Sequence, residues 1–303
     1  MKRVLNAAFL LCLGFGASSP VLAQRQGAKP AEVPDAVKMV RPTAEEIETA
    51  KAALAKLKES ADAKTKEVLE KFPELIAVRP PSPVNFAIIP NLNGGFRQKH
   101  ERNKEVAKKG EAELLFMGDS ITDFWRNTDG PFVGKPVFDK YFGQWKVANF
   151  GIAGDTTQGV LYRLQNGEGQ GIKPKAVMLM IGTNNTGGNS AAEIAEGIGA
   201  VVLELKKDFP EAKILLLAIF PRGRPEDAVR TKIKEINEKI SKLHDGERVH
   251  YLDIGDKFLD DQKRIPNDVM SDLLHPGAKG YEIWAEAVKE PLAKMMGTGE
   301  EKK

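Results

Sequence analysis

Leu114-Leu115-Phe116-Met117-Gly118-Asp119-Ser120, followed by Ile121-Thr122-Asp123-Phe124-Trp125, is a short apolar run that ends in a small polar turn and enters a helix-competent stretch. The run has the length and composition of a buried strand. A serine at such a strand-to-helix turn stands at the edge of a sheet. A histidine from another loop can reach it there, and the following helix offers backbone N–H groups to a developing negative charge. Read alone, the tripeptide is better explained as a polar turn after a strand, with Asp119 or Ser120 capping the helix.

Three further loops repeat the pattern. Lys146-Val147-Ala148-Asn149-Phe150 runs into Gly151-Ile152-Ala153-Gly154-Asp155-Thr156-Thr157, and Ala176-Val177-Met178-Leu179-Met180-Ile181 runs into Gly182-Thr183-Asn184-Asn185. Asp272-Leu273-Leu274-His275-Pro276-Gly277 precedes a final helical stretch. In an open parallel sheet the loops leaving the carboxyl ends of the strands gather on one edge, where ligands bind. Strands are expected near 113–117, 146–150, 176–181, 213–219 and 248–253, with helices near 156–165, 191–208, 226–244 and 278–295. The alternation predicts an α/β fold, a three-layer α/β/α sandwich around a five-stranded parallel sheet.

A serine needs a base to become a nucleophile, and the chain has four histidines. His100 lies in the charged stretch Gln98-Lys99-His100-Glu101-Arg102 and reads as a solvated helix residue. His244 closes a helical pattern, and His250 sits in the alternating strand Arg248-Val249-His250-Tyr251-Leu252 and reads as structural. His275 alone combines a loop position, a carboxylate three residues upstream, and Pro276-Gly277 to keep the chain out of helix. The three-residue spacing lets Asp272 and His275 emerge from one turn. The expected roles are Ser120 as nucleophile, His275 as proton carrier and Asp272 as the group that orients the imidazole.

Taken together, Gly118-Asp119-Ser120-Ile121, Asn149-Phe150-Gly151-Ile152 with Gly154-Asp155-Thr156-Thr157, Gly182-Thr183-Asn184-Asn185 and Asp272 to His275 resemble the conserved blocks of the SGNH hydrolase superfamily, the GDSL-type esterases and lipases. Pro221-Arg222-Gly223 adds a likeness to the platelet-activating-factor acetylhydrolase catalytic subunits and their bacterial acetylesterase relatives. The resemblance runs from about Phe96 to about Met295, and Ile121 replaces the Leu of the family's name. It implies a flavodoxin-like SGNH fold and an oxyanion hole built from the Ser120 N–H, the Gly154 N–H and the Asn184 amide. A side chain at Gly154 could obstruct close backbone approach. Asn185 reads as a simple turn residue after the strand, Asp119 and Asp155 as supporting groups, and Trp125, Tyr162, Tyr281 and Trp284 as core or rim packing.

Other chemistries find no motif. The chain has no Gly-x-Ser-x-Gly elbow, His-Glu-x-x-His pair, cysteine cluster or phosphate-binding loop, so neither metal nor organic cofactor is implied. Gly167-Glu168-Gly169-Gln170-Gly171 lacks dinucleotide spacing and reads as a flexible loop.

The chain has 303 residues, 42% of them hydrophobic, enough for one α/β domain with an extension. Met1-Lys2-Arg3, the apolar stretch Val4 to Phe15 and the small residues through Ala23 read as a signal peptide cleaved after Ala23, which places the protein outside the cytoplasm, secreted or periplasmic. Leu11 before Cys12 does not fit a lipoprotein pattern, and cleavage removes the only cysteine. The formal charge of +3 calls for neither nucleic acid nor an anionic membrane, and no later run is long enough to span a bilayer.

Residues 24–83 are expected as a linker and helical extension, and 84–303 as the hydrolase domain. Gln24 to Arg41, short of large apolar side chains, reads as a mobile linker. Thr43-Ala44-Glu45-Glu46 fits a capping box, and Ile47, Ala50, Leu54 and Leu57 recur at helical spacing. This stripe is expected to pack on the chain's own domain, with Pro80, Pro81 and Pro83 marking the boundary. The expected activity is an exported serine esterase acting on short acyl esters, acetyl above all, of a glycan or other small molecule. A lipid-type acetylhydrolase and a non-catalytic glycan-binding module are the alternatives.

Overall fold

The computed structural model describes residues 28–77 and 84–298. The expected signal peptide and the proline-marked boundary lie outside the described residues.

Five strands, β1 (Leu114–Gly118), β2 (Val147–Asn149), β3 (Ala176–Met180), β4 (Lys213–Leu217) and β5 (Val249–Leu252), form one sheet in the order β2-β1-β3-β4-β5. Every pairing is parallel. This is the expected α/β architecture, with strand ends within two residues of the sequence reading.

Successive strand residues face opposite sides, so each strand feeds two cores. Leu115, Met117, Val177, Leu179, Ile214 and Leu216 point into one layer. There they meet the helices Thr157–Gln165, Ala191–Asp208 and Ala228–Ile240. Leu114, Phe116, Met178, Met180, Leu215 and Leu217 point into the other, against the helices Lys135–Phe142 and Ala278–Met296. Trp125, Tyr281 and Trp284 are fully buried in this second layer, so they pack the core as expected. From β1 the chain steps to β2 on one side and then returns to place β3 on the other. That reversal opens a crevice beyond the carboxyl ends of β1 and β3.

Two helices precede the sheet domain, α1 (Ala44–Ser60) and α2 (Ala63–Lys71). Thr43 and Glu46 form the expected capping box. Among the described residues the stripe on α1 is not buried against the sheet domain, contrary to expectation, and neither helix has a buried residue. Leu57 is 64% exposed. The stripe is narrow, with only Ile47, Leu54 and Leu57 as large apolar residues, and gains too little from burial to fix a docking angle.

The expected mobile linker is also corrected, because its described part is docked. Ala31 N–H donates to the Ile88 carbonyl at 2.8 Å, and Val37 is buried against the core. Arg41 donates through both terminal nitrogens to Glu196, at 3.2 and 3.0 Å. Glu196 also accepts from Met39 N–H at 2.9 Å and from the Asn85 amide at 2.8 Å. Residues before and after the helical pair therefore meet on one buried carboxylate. Among the described residues no helix is long and apolar enough to cross a membrane.

Candidate active site

β1 ends in Gly118, where an added Cβ would lie 2.4 Å from the Met180 carbonyl oxygen and 2.3 Å from the Thr122 hydroxyl. Only glycine lets the chain leave β1 this tightly between the Met180 carbonyl of β3 and Thr122. Asp119 then caps the single turn Ser120–Asp123, its Oδ1 accepting Ile121 N–H at 3.0 Å. Ser120 is thereby presented at the crevice, with its Oγ 2.9 Å from His275 Nε2.

His275 reaches it from a loop that precedes the last helix. Its Nδ1 lies 2.6 Å from Asp272 Oδ2. Asp272 Oδ1 accepts the N–H groups of Leu274 and His275 at 3.0 and 2.8 Å. Burial raises the Asp272 carboxyl, but the donated hydrogen bonds, that of the His275 N–H foremost, outweigh it and hold the group below its ordinary range. Leu273 between them takes φ +60°, a left-handed conformation costing a non-glycine residue about 1–2 kcal/mol. The loop is tied there, Leu273 N–H donating to Met270 at 3.0 Å and its carbonyl accepting Gly223 N–H at 2.8 Å. Pro221-Arg222-Gly223 thus braces the histidine loop.

Gly154 has φ +87° and lies at the exposed end of the loop after β2. Among the described residues neither its N–H nor that of Ser120 has a protein acceptor. The Asn184 amide, after β3, donates one hydrogen to the Asp155 carbonyl at 2.8 Å, which leaves its second for a ligand. Asn185, expected as a turn residue, lies in the short turn Thr183–Gly187, and its Oδ1 accepts Thr157 N–H at 3.1 Å. The geometry joins Ser120, His275 and Asp272 in one hydrogen-bonded line, and links Gly154 to Asn184 through Asp155. Such an arrangement can move a proton off a serine and offers free donors on neighbouring loops.

Four features escape the sequence reading. Phe124 and Phe132 stack at 5.8 Å and flank the His275 ring at 5.1 and 5.0 Å. Phe96 overhangs Gly154, its Cζ 3.3 Å from where a Cβ would stand. Asp123 accepts Ala153 N–H at 2.9 Å and Lys99 at 2.7 Å, and Arg126 donates to the Asn149 and Gly151 carbonyls at 2.7 and 2.8 Å. His100, expected in solvent, is 3% exposed with its Nδ1 2.6 Å from Glu168 Oε2. Glu168 belongs to the glycine-rich segment expected as a flexible loop, yet it is fully buried and paired with Arg163. Asn103 and Ala107 share the buried face with His100. That spacing was the available signal, masked by the charges at Lys99, Glu101 and Arg102.

Asp119 is fully buried, and burial pushes its carboxyl up to about 7. Among the described residues its Oδ2 has no hydrogen-bond partner. His244 Nδ1 accepts Tyr251 N–H at 3.1 Å, and His250 Nε2 lies 3.2 Å from the Glu247 carbonyl, both far from the serine in role. Among the described residues no three His, Cys, Asp or Glu side chains converge as a metal-binding group.

The model of the GDSL-like Lipase/Acylhydrolase family matches residues 116–283. Human platelet-activating factor acetylhydrolase IB subunit alpha1 is 32% identical over 205 residues, 67% of this chain and 85% of the relative. The alpha2 subunit from Rattus norvegicus is 34% identical over 227 residues, 72% of this chain and 95% of the relative. Among solved structures, a GDSL-like lipase from Bacteroides thetaiotaomicron superposes with a TM-score of 0.53 at 20% identity, over 66% of this chain and 97% of that one. At that identity it speaks for the fold.

Proposed function

The chain belongs to the GDSL-like lipase/acylhydrolase family and is a carboxylic ester hydrolase, and from that premise we propose an exported serine esterase that removes short acyl groups, acetyl above all, from carbohydrate. Ser120 Oγ attacks the ester carbonyl while its proton passes to His275 Nε2. The tetrahedral oxyanion is held by the N–H groups of Ser120 and Gly154 and by the Asn184 amide. Its collapse breaks the bond to the alcohol oxygen, which takes the proton from His275 and leaves an acyl-serine. Water then repeats the sequence, giving its proton to His275 and releasing the acid and free Ser120. Asp272 keeps the imidazole turned to the serine and favours its charged form.

The observation that carries this reading is the pair of contacts through one imidazole, 2.9 Å to Ser120 and 2.6 Å to Asp272. Export is inferred from the leader pattern of residues 1–23. The half-exposed Phe124–Phe132 stack beside His275 suits the apolar face of a sugar ring. The names of the mammalian relatives favour a second reading, an acetyl ester on a lipid-type alcohol.

Hydrolysis of chromogenic acetyl and butyryl esters by the purified protein, beside Ser120→Ala, tests the chemistry. Turnover is expected for the acetyl ester and none for the variant. A variant that keeps its turnover would falsify the serine mechanism. An O-acetylated oligosaccharide set against an acetylated ether phospholipid then separates the two substrates.

A further inference from the structure

We propose that Arg163 is a positioning residue for ester hydrolysis, a buried clamp that fixes where the Gly154 N–H points. The inference rests on the assignment of Gly154 to the oxyanion hole made above.

Arg163 is fully buried beneath the loop that follows β2. Its Nη1 donates to the Phe150 carbonyl at 3.0 Å, immediately before the loop. Its Nε donates to Asp155 Oδ2 at 2.8 Å, immediately after it. Both stems of the four residues that end in Gly154 are thus tied to one planar, rigid group. Asp155 carries the restraint further, because its other oxygen accepts Thr156 N–H at 2.8 Å and its carbonyl accepts the Asn184 amide at 2.8 Å. Two proposed oxyanion donors therefore depend on one side chain that touches neither of them.

The clamp is itself held. Glu168 Oε1 pairs closely with Arg163 and accepts the Asn103 amide at 3.1 Å, while Oε2 faces His100. Burial opposes the guanidinium charge, but Glu168 and Asp155 outweigh it and push its ionisation further up, so Arg163 stays charged. Stability alone does not call for such a cluster, since replacing a buried ion pair with apolar groups is often neutral or favourable. What apolar groups lack is direction. The Asp123–Arg126 pair on the other side grips Asn149, Gly151 and Ala153. It leaves the Gly154–Asp155 step to Arg163.

The test compares wild type with Arg163→Lys, which keeps the buried charge but cannot reach both stems. Glu168→Gln serves as the second variant should the lysine variant not fold. Active sites are titrated with an organophosphate that blocks Ser120, and kcat and KM for a chromogenic acetyl ester are taken per titrated site. A drop in kcat of at least ~10-fold with KM within ~2-fold is expected for Arg163→Lys, a part of the 10²–10³ that one oxyanion donor commands, and a smaller drop of the same kind for Glu168→Gln. A boronic acid that forms a tetrahedral adduct on Ser120 should lose affinity in parallel, which mere loss of folded protein would not cause. Wild-type kcat per site in the folded variants overturns the proposal. Ser120→Ala in the same assay separates the two failures. If it is inert while the clamp variants match wild type, only the clamp idea is lost. If it turns over, the underlying reading goes as well.

Discussion

Asp272 holds His275 at two points, its Oδ2 at 2.6 Å from the imidazole Nδ1 and its Oδ1 accepting the histidine's own N–H at 2.8 Å. One carboxylate thus shapes the loop and aims the ring. The side chain is 39% exposed, so water competes for it more than for a fully buried partner.

Asp272→Asn keeps the Oδ1 acceptor for both N–H groups but offers an amide hydrogen where the imidazole N–H donates. The wrong tautomer is then favoured. Turnover should fall ~10²–10⁴-fold with the melting temperature little changed. Steady-state kinetics with a circular-dichroism melt reads both. Unaltered kcat in a folded variant would remove Asp272 from the mechanism.

Asp119 gives a pH signature in stability. Its folded carboxyl stands at about 7 against an ordinary 3.8. Below the lower value both states hold the proton. Between the two only the unfolded state releases it, so the contribution of this group to stability falls as pH rises across that window. The span is worth on the order of 4 kcal/mol. Asp119→Asn keeps the cap to Ile121 and should flatten this part of the curve. Urea unfolding from pH 4 to 8 gives the difference between the two proteins, and parallel curves would contradict the assignment.

Gly154→Ala places a side chain on backbone at φ +87° and 3.3 Å from Phe96 Cζ. The strain is about 1–2 kcal/mol, and the chain relieves it by turning the N–H away. A kcat loss of ~10-fold or more is expected, with KM held. The double variant with Phe96→Ala removes the contact but not the strained φ, so it should restore little. Full recovery would show that crowding alone was at fault.

Glu196 joins Met39, Arg41 and Asn85. Glu196→Ala removes the acceptor of the Met39 N–H, the partner of Arg41 and one of the two acceptors of the Asn85 amide, which keeps the Glu193 carbonyl. The cost is about 2–3 kcal/mol, measurable by chemical denaturation. Replacing residues 43–83 with a short Gly/Ser linker keeps this junction. Esterase activity per site should stay within ~2-fold because no residue of α1 or α2 is buried. Loss of activity in that variant would tie the helical pair to the site.

The strands, the helices after them and the serine and histidine loops were legible in the sequence because each is written in neighbouring residues. Apolar runs of strand length, the Gly118-Asp119-Ser120 turn, the Thr43–Glu46 box and the three-residue spacing of Asp272 and His275 need no distant partner to be read. Other features rest on contacts between residues far apart in the chain. His100 looks solvated until Glu168, 68 residues on, closes over it, and the linker looks mobile until Met39 meets Glu196 across 157 residues. Sequence by itself determined which groups could react and the layered frame that carries them. The tertiary structure alone decided which charges are buried, since a charge leaves water only where folding supplies its partner.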